Sequence, residues 1–408
     1  MTSRERIVET LNHREPDMLA IDFGGMRSTG IHAVAYNRFV KYLGFELSPP
    51  RLYDVFQQLA EPQMEVMERL GGDVVQAHQM CPAFGISIAD GWKRAVLPDG
   101  SPVMAPEGFD PECDADGNEY IWTNGIRWAM KPNGGLYFDQ IAHPYEHCRR
   151  EDDVDHIPIA TWSEHELDFL ENEIKTLHRT TDKAILVPFG GNVFEAGQLD
   201  FGYETFFVNL VAEPDLMHYY FNRITNVYMK NLESLLARVG RLVHAVQFGD
   251  DLGTQQAGQI SVQTYRDMIK PYHARQYQYV RNHYPTAKVF LHSCGAVASY
   301  LSDLIDAGVE VLNPIQLSAA GMDPAALKRT YGNVLSFWGG GSNTPVTATK
   351  GTQSDIRRET QALIDIFAPG GGYVFTQVHN IQPNVPPENI LAIYDTALEY
   401  RAKQRGSR

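Results

Sequence analysis

Short apolar runs alternate with amphipathic stretches along this chain, and the alternation repeats eight times. The apolar runs fall at residues 18–23, 73–76, 184–189, 245–248, 288–292, 310–314, 334–338 and 373–378. They are brief and often β-branched, as strands covered on both faces should be. Between the later runs, apolar residues recur at helical spacing. Leu301, Leu304 and Ile305 form one such face, closed by Gly308, and Ile356, Leu363, Ile364 and Phe367 form another. The last begins at Pro386-Pro387-Glu388, a proline start with an acidic first turn, and continues through Ile390, Ile393 and Leu398. Eight strand–helix units predict an α/β fold, a single (β/α)8 TIM barrel over residues 1–408.

One stretch breaks the pattern. Residues 91–135 carry Trp92, Tyr120, Trp122 and Trp128 with the turn pairs Asp99-Gly100, Asp116-Gly117 and Asn124-Gly125. Asn-Gly between two β-prone segments is a strong hairpin signal. The expectation is a β-hairpin insertion after the second strand, covering either the barrel mouth or its flank.

Composition narrows the partners. A formal charge of −15 with no basic run argues against nucleic acid and anionic membranes. No apolar run reaches the ~18 residues of a membrane span. Four cysteines at wide, irregular spacing (Cys81, Cys113, Cys148, Cys294) make no disulfide framework. A cytoplasmic protein acting on a small molecule is the expectation.

Barrel chemistry gathers at the carboxyl ends of the strands. Asp22 ends the first run, Asn192 and Glu195 follow the third, and Gln247, Asp250 and Asp251 end the fourth. His292 and Cys294 end the fifth, two residues apart, so strand alternation points both the same way. Gln316 follows the sixth and His379 the eighth. His292, Cys294 and His379, with Gln316 near, suit a zinc site of three ligands and an open fourth position, which is the catalytic pattern. The other reading is a buried structural cysteine beside satisfied histidines. Two adjacent carboxylates do not easily face one metal. One of Asp250 and Asp251 is expected to handle protons or support a ligand imidazole, the other to cap a helix or meet solvent.

These residues carry a resemblance. The opening Arg4-Glu-Arg-Ile-Val-Glu-Thr-Leu-Asn-His-Arg-Glu-Pro-Asp17, the His292-Ser-Cys-Gly295 element and the closing Pro386-Pro387-Glu388-Asn389 resemble the uroporphyrinogen decarboxylase superfamily. True decarboxylases carry an Arg-Gln-Ala-Gly-Arg-Tyr element where this chain reads Asp22-Phe-Gly-Gly-Met-Arg-Ser28, so the anchors for a tetra-anionic porphyrinogen are missing. The H-x-C element is similar instead to the zinc methyltransferase branch: methylcobamide methyltransferases and, more distantly, cobalamin-independent methionine synthase. In that branch a later Cys completes the zinc site, ten residues before an Asn; the matching position here is His379, ten before Asn389. A metal-associated Glu of the synthase corresponds to Gln316, 24 residues after His292.

The resemblance implies a zinc-dependent methyltransferase working with a corrinoid (cobalamin) as methyl carrier. Asp250, Asp251 and Gln316 would be catalytic, Asp22, Asn192, Glu195 and Gln247 would contact substrate, and His292, Cys294 and His379 would hold zinc. A corrinoid carrier protein is the implied partner and a homodimer a further expectation. Exchanging a thiolate for an imidazole makes the zinc more Lewis-acidic and a bound thiolate less nucleophilic. That keeps two alternatives open: a zinc-dependent hydrolase, lyase or decarboxylase of a small aromatic or carboxylated substrate, and a non-enzymatic corrinoid or tetrapyrrole-binding protein.

Overall fold

The computed structural model describes residues 1–406. Its main sheet is all parallel, with the strands Ala20–Ile21, Val74–Gln76, Ala184–Gly190, Ala245–Gly249, Lys288–His292, Val311–Asn313, Ser336–Trp338 and Tyr373–Phe375 as neighbours in chain order. The eighth strand returns to the first through Ala20↔Val374 and Ile21↔Phe375. The circle is completed where the Asp73 N–H donates to the Ile21 carbonyl at 2.7 Å. With helices outside, this is the (β/α)8 barrel. Each expected strand forms in place, though several are shorter. The first ladder stops at Ile21 because the Asp22 carboxylate takes the Gly25 N–H at 2.7 Å and the Thr29 hydroxyl at 2.7 Å, which turns the chain.

Strand alternation sorts the side chains into layers. Ala20, Val74, Ala184, Leu186, Ala245, Phe290, Val311, Trp338 and Val374 fill the barrel interior. Ile7 and Leu11 of the first helix, Ser3–Leu11, plug it from the amino-terminal end. Their intervening neighbours, such as Ile185, Val246, Val289 and Phe337, face the outer helices in a separate core. Two residues further along the same strands, the inward positions turn polar: Asp22, Gln76, Gln247, His292 and Asn313. Chemistry can therefore begin one layer above the apolar plug.

Between the second strand and the helix Glu164–Thr180 lies the interruption seen in the sequence. Asn124-Gly125 joins Glu119–Thr123 to Ile126–Lys131 in antiparallel register. These strands belong to a four-stranded sheet with Glu112–Cys113 and Asp139–Gln140, and Trp92–Val96 pairs separately with Pro102–Pro106. The antiparallel structure is thus more than one hairpin and reaches past residue 135. It touches the mouth through Tyr137, whose ring stacks on Phe56 with centroids 6.4 Å apart and whose hydroxyl accepts from Gln382. No helix among the described residues is long and apolar enough to cross a membrane.

The closure is reinforced by charge. The Asp73 carboxylate accepts the Ile21 N–H at 3.0 Å and the Ser3 hydroxyl at 2.8 Å. It also pairs with Arg6 at 2.6 Å and with Arg401 of the last helix. All three charged side chains are buried, and burial pushes the Arg401 guanidinium below its usual range. Removing one partner of a buried ion network strands the others in low dielectric, at a cost of about 3–5 kcal/mol. Asp73→Asn is expected to lower unfolding stability by that amount in chemical denaturation; a loss under ~1 kcal/mol, the level of an exposed pair, would refute this role.

Candidate metal centre

His292 enters the mouth as the last residue of the fifth strand, one inward position above Phe290. Its Nδ1 lies 2.6 Å from Asn313 Oδ1, and Asn313 Nδ2 donates to the Trp338 carbonyl at 2.9 Å. The second contact fixes which end of the amide faces the imidazole. Asn313 must accept, so His292 Nδ1 carries the proton and Nε2 presents its lone pair. That nitrogen is 3.4 Å from Cys294 Sγ. With zinc bonds of about 2.0–2.1 Å to nitrogen and 2.3 Å to sulfur, a tetrahedral edge is roughly 3.5 Å.

Cys294 is set by the turn that follows the strand. Gly295 has φ +89°, and a Cβ there would lie 2.4 Å from the Gly253 carbonyl, so only glycine fits. The Gly295 N–H donates to Gln316 Oε1 at 2.7 Å and the Cys294 N–H to Asp251 Oδ1 at 2.7 Å. His379 closes the group from beyond the eighth strand, its ring centroid 5.6 Å from that of His292. Ligand atoms of His292, Cys294 and His379 lie within 4.8 Å of one another, the only such group of three or more among the described residues. Burial and the neighbouring His292 push the His379 pKa down to about 4, which keeps it neutral with a lone pair available. Burial, with Asp251 and Glu195 nearby, pushes the Cys294 thiol well up. One soft sulfur and two borderline nitrogens in this spacing fit a zinc ion with a position left open.

Beside the cluster is a cavity of about 260 Å³, below the roughly 300–1,000 Å³ usual for ligand pockets. His292, His379, Asp251, Asn192, Glu195 and Gln247 all line it. Asn192 Nδ2 donates to Glu195 Oε2 at 2.7 Å. Burial first, then Asp251 and Asp250, push the Glu195 pKa well up.

Three expected site residues lie elsewhere. Asp250 is fully buried and takes the N–H groups of Val193, Phe194 and Glu195 at 2.8, 2.9 and 2.8 Å, with His273 Nε2 at 2.6 Å. It anchors the start of the helix Phe194–Phe201 and does not line the cavity. Asp251 does line it, 3.8 Å from His292 Nε2. Asp22 is no substrate ligand: it binds Trp338 Nε1 at 2.8 Å as well as Gly25 and Thr29, and burial pushes it up to about 6. Gln316 holds the Gly295 turn and is not part of the cavity wall.

Asn313 ends the sixth run at the mouth, as its place in the sequence predicts, whereas Gln76 and Arg27 were not among the expected site residues. Gln76 follows Val74 by two in the second strand, the same period that exposed His292. Arg27 lies in the segment thought to lack anchors, yet it lines the cavity, paired with Asp54 and with its guanidinium carbon 5.0 Å from the centre of the Phe56 ring.

Comparison with known proteins agrees with this architecture. The family model "Uroporphyrinogen decarboxylase (URO-D)" matches residues 136–400. The uroporphyrinogen decarboxylase of Sodalis glossinidius is 25% identical over 267 residues, 62% of this chain and 70% of that protein. That of Psychromonas ingrahamii is 23% identical over 286 residues, 65% and 75% of the two chains. With other curated relatives, such as the enzyme of Chlorobium phaeobacteroides, the match spans about half of the relative, 52%. Among solved structures, a methyltransferase from Methanosarcina mazei superposes with TM-score 0.63 at 15% identity, over 98% of this chain and 99% of that one. At that identity the likeness is one of fold.

Two consequences can be measured. The hydrogen-bond partner of a metal-bound imidazole is worth roughly 10- to 100-fold in metal affinity. Asn313→Ala is expected to weaken zinc binding by that factor in a competitive chelator titration, and unchanged affinity would discount the tether. Because the Cys294 thiol is protonated near neutrality while His379 is neutral, zinc binding should release about one proton. Calorimetry in buffers of different ionisation enthalpy reads that number, and affinity should rise with pH through this range. No proton release would contradict thiolate ligation.

Proposed function

Since the chain belongs to the uroporphyrinogen decarboxylase family, we propose that it is a zinc-dependent methyltransferase of that family, moving a methyl group between a corrinoid and a thiol or tetrahydrofolate-type acceptor. The observation that carries this reading is the triad of His292, Cys294 and His379 beside a small cavity that both histidines and Asp251 line. Zinc held there would act as a Lewis acid, lowering the pKa of a bound acceptor. Asp251 lies where it can take the proton that the acceptor loses as its lone pair gains the methyl group. It also returns one negative charge to a centre that has a single thiolate. Asn313 holds the His292 tautomer, and Glu195, steadied by Asn192, lies in the cavity wall within reach of the ligand. A cavity of about 260 Å³ holds an acceptor but not a corrinoid, so the corrinoid would be brought to the mouth by a carrier protein.

A second reading keeps the same centre and uses it for metal-assisted hydrolysis, lyase chemistry or decarboxylation. One thiolate and two imidazoles leave a net positive zinc, which favours binding an acidified water. The cavity argues against the carboxylated substrates of this reading, because its one arginine is already paired with Asp54.

The deciding experiment incubates zinc-loaded protein with methylcob(III)alamin and either a thiol or tetrahydrofolate, and follows the visible spectrum. Conversion to cob(I)alamin with one acceptor is the expected result. Asp251→Asn should then lower kcat by roughly 10²- to 10⁴-fold at unchanged zinc content. No spectral change with any acceptor, in protein that holds zinc, would refute methyl transfer.

A further inference from the structure

The cavity wall carries several amides, and most are committed. Gln79 Nε2 donates to the Pro188 carbonyl at 2.7 Å, Gln57 accepts from Asn380, and Asn192 is held by Glu195. Gln76 and Gln247 differ. Both are more than nine-tenths buried, at 7% and 9% exposure. Gln247 Oε1 and the buried Ser28 hydroxyl in the same wall have no protein partner, and the Gln76 amide and Tyr53 hydroxyl have only each other nearby. Buried polar atoms are almost always paired in folded proteins, and a set left open around one cavity marks what its ligand must supply. A primary amide with no partner but a neighbouring hydroxyl still offers a donor and an acceptor side by side. Its complement is an edge with an adjacent acceptor and donor, the way Gln reads adenine.

The charges in the wall select against anions. Arg27 is neutralised by Asp54, and His78 Nε2 lies 3.6 Å from Glu61. Asp251 adds a negative charge, and the half-buried Phe56 supplies an aromatic ring beside Arg27. We propose that the ligand of this cavity is an uncharged planar ring carrying a lactam-type edge, C=O beside N–H, read by Gln76 and Gln247. The proposal rests on the cavity being the substrate site of the function proposed above, and it narrows the acceptor to a lactam-bearing heterocycle.

Binding can be tested separately from catalysis. Oxindole, N-methyloxindole and benzoate are titrated calorimetrically into the full chain, once zinc-loaded and once treated with chelator. Oxindole should bind in both states, and N-methyloxindole, which lacks the donor, at least roughly tenfold more weakly. Gln76→Met should weaken oxindole roughly 10- to 100-fold, with a smaller loss for Gln247→Met, and circular dichroism should show both variants folded. Asp54→Asn leaves Arg27 without its counter-charge and is expected to raise benzoate binding roughly tenfold. Equal binding of oxindole and its N-methyl form, stronger binding of benzoate by the unaltered chain, or indifference to Gln76→Met would each overturn the proposal. Gln76-dependent oxindole binding without any methyl transfer would leave it standing and refute the methyltransferase reading alone.

Discussion

Everything at the mouth depends on a barrel that closes between its first and second strands on one backbone hydrogen bond. Elsewhere the ladder is continuous, and residues on neighbouring strands hold one another in register. At this seam Asp73 alone serves both groups of Ile21, donating its N–H to the carbonyl and accepting the N–H on its carboxylate. Arg6 from the first helix and Arg401 from the last converge on the same carboxylate, so the two ends of the chain lock the seam. The candidate metal ligands lie at the end of the fifth strand and beyond the eighth, far apart in sequence. They meet because the circle is closed.

Once they meet, electrostatics divides the labour. The adjacent acids Asp250 and Asp251 carry opposite duties. Asp250 turns toward the outer helices and satisfies three backbone N–H groups at a helix start, where a fixed negative charge is favoured. Asp251 faces His292 and the Cys294 backbone, where a charge can act on a ligand. The Trp338 carbonyl, Asn313 amide and His292 ring form a chain that decides which nitrogen is presented. Replacing a thiolate by His379 removes one negative charge from the centre, and Asp251 lies where it compensates.

The fold was legible because its code is local. Eight short apolar runs with helical stretches between them leave few other architectures, and period-two alternation correctly aimed His292 and Cys294 into the mouth. The same rule would have found Gln76, which ends the second run as His292 ends the fifth. What the sequence concealed was direction after the strand ends. Asp22, Asp250 and Gln316 all follow apolar runs, as real mouth residues do, yet each is turned by backbone N–H groups or by Trp338 into a supporting position. A carboxylate satisfies nearby orphan donors as readily as it meets a substrate, and only the three-dimensional path distinguishes the two. The role of Asn313, though not its place at the end of the sixth run, was invisible for a related reason. Its importance comes from a carbonyl 25 residues away in sequence.

The most direct test is zinc K-edge X-ray absorption on the purified full chain, because it counts the donor atoms themselves. About one zinc per chain, with a single sulfur near 2.3 Å and the remaining first-shell atoms nitrogen or oxygen near 2.0–2.1 Å, is the expected spectrum. Loss of the sulfur shell in Cys294→Ser and of imidazole scattering in His379→Ala should follow. A zinc shell without sulfur, or a folded protein that takes up no zinc, would contradict the centre on which the functional reading stands.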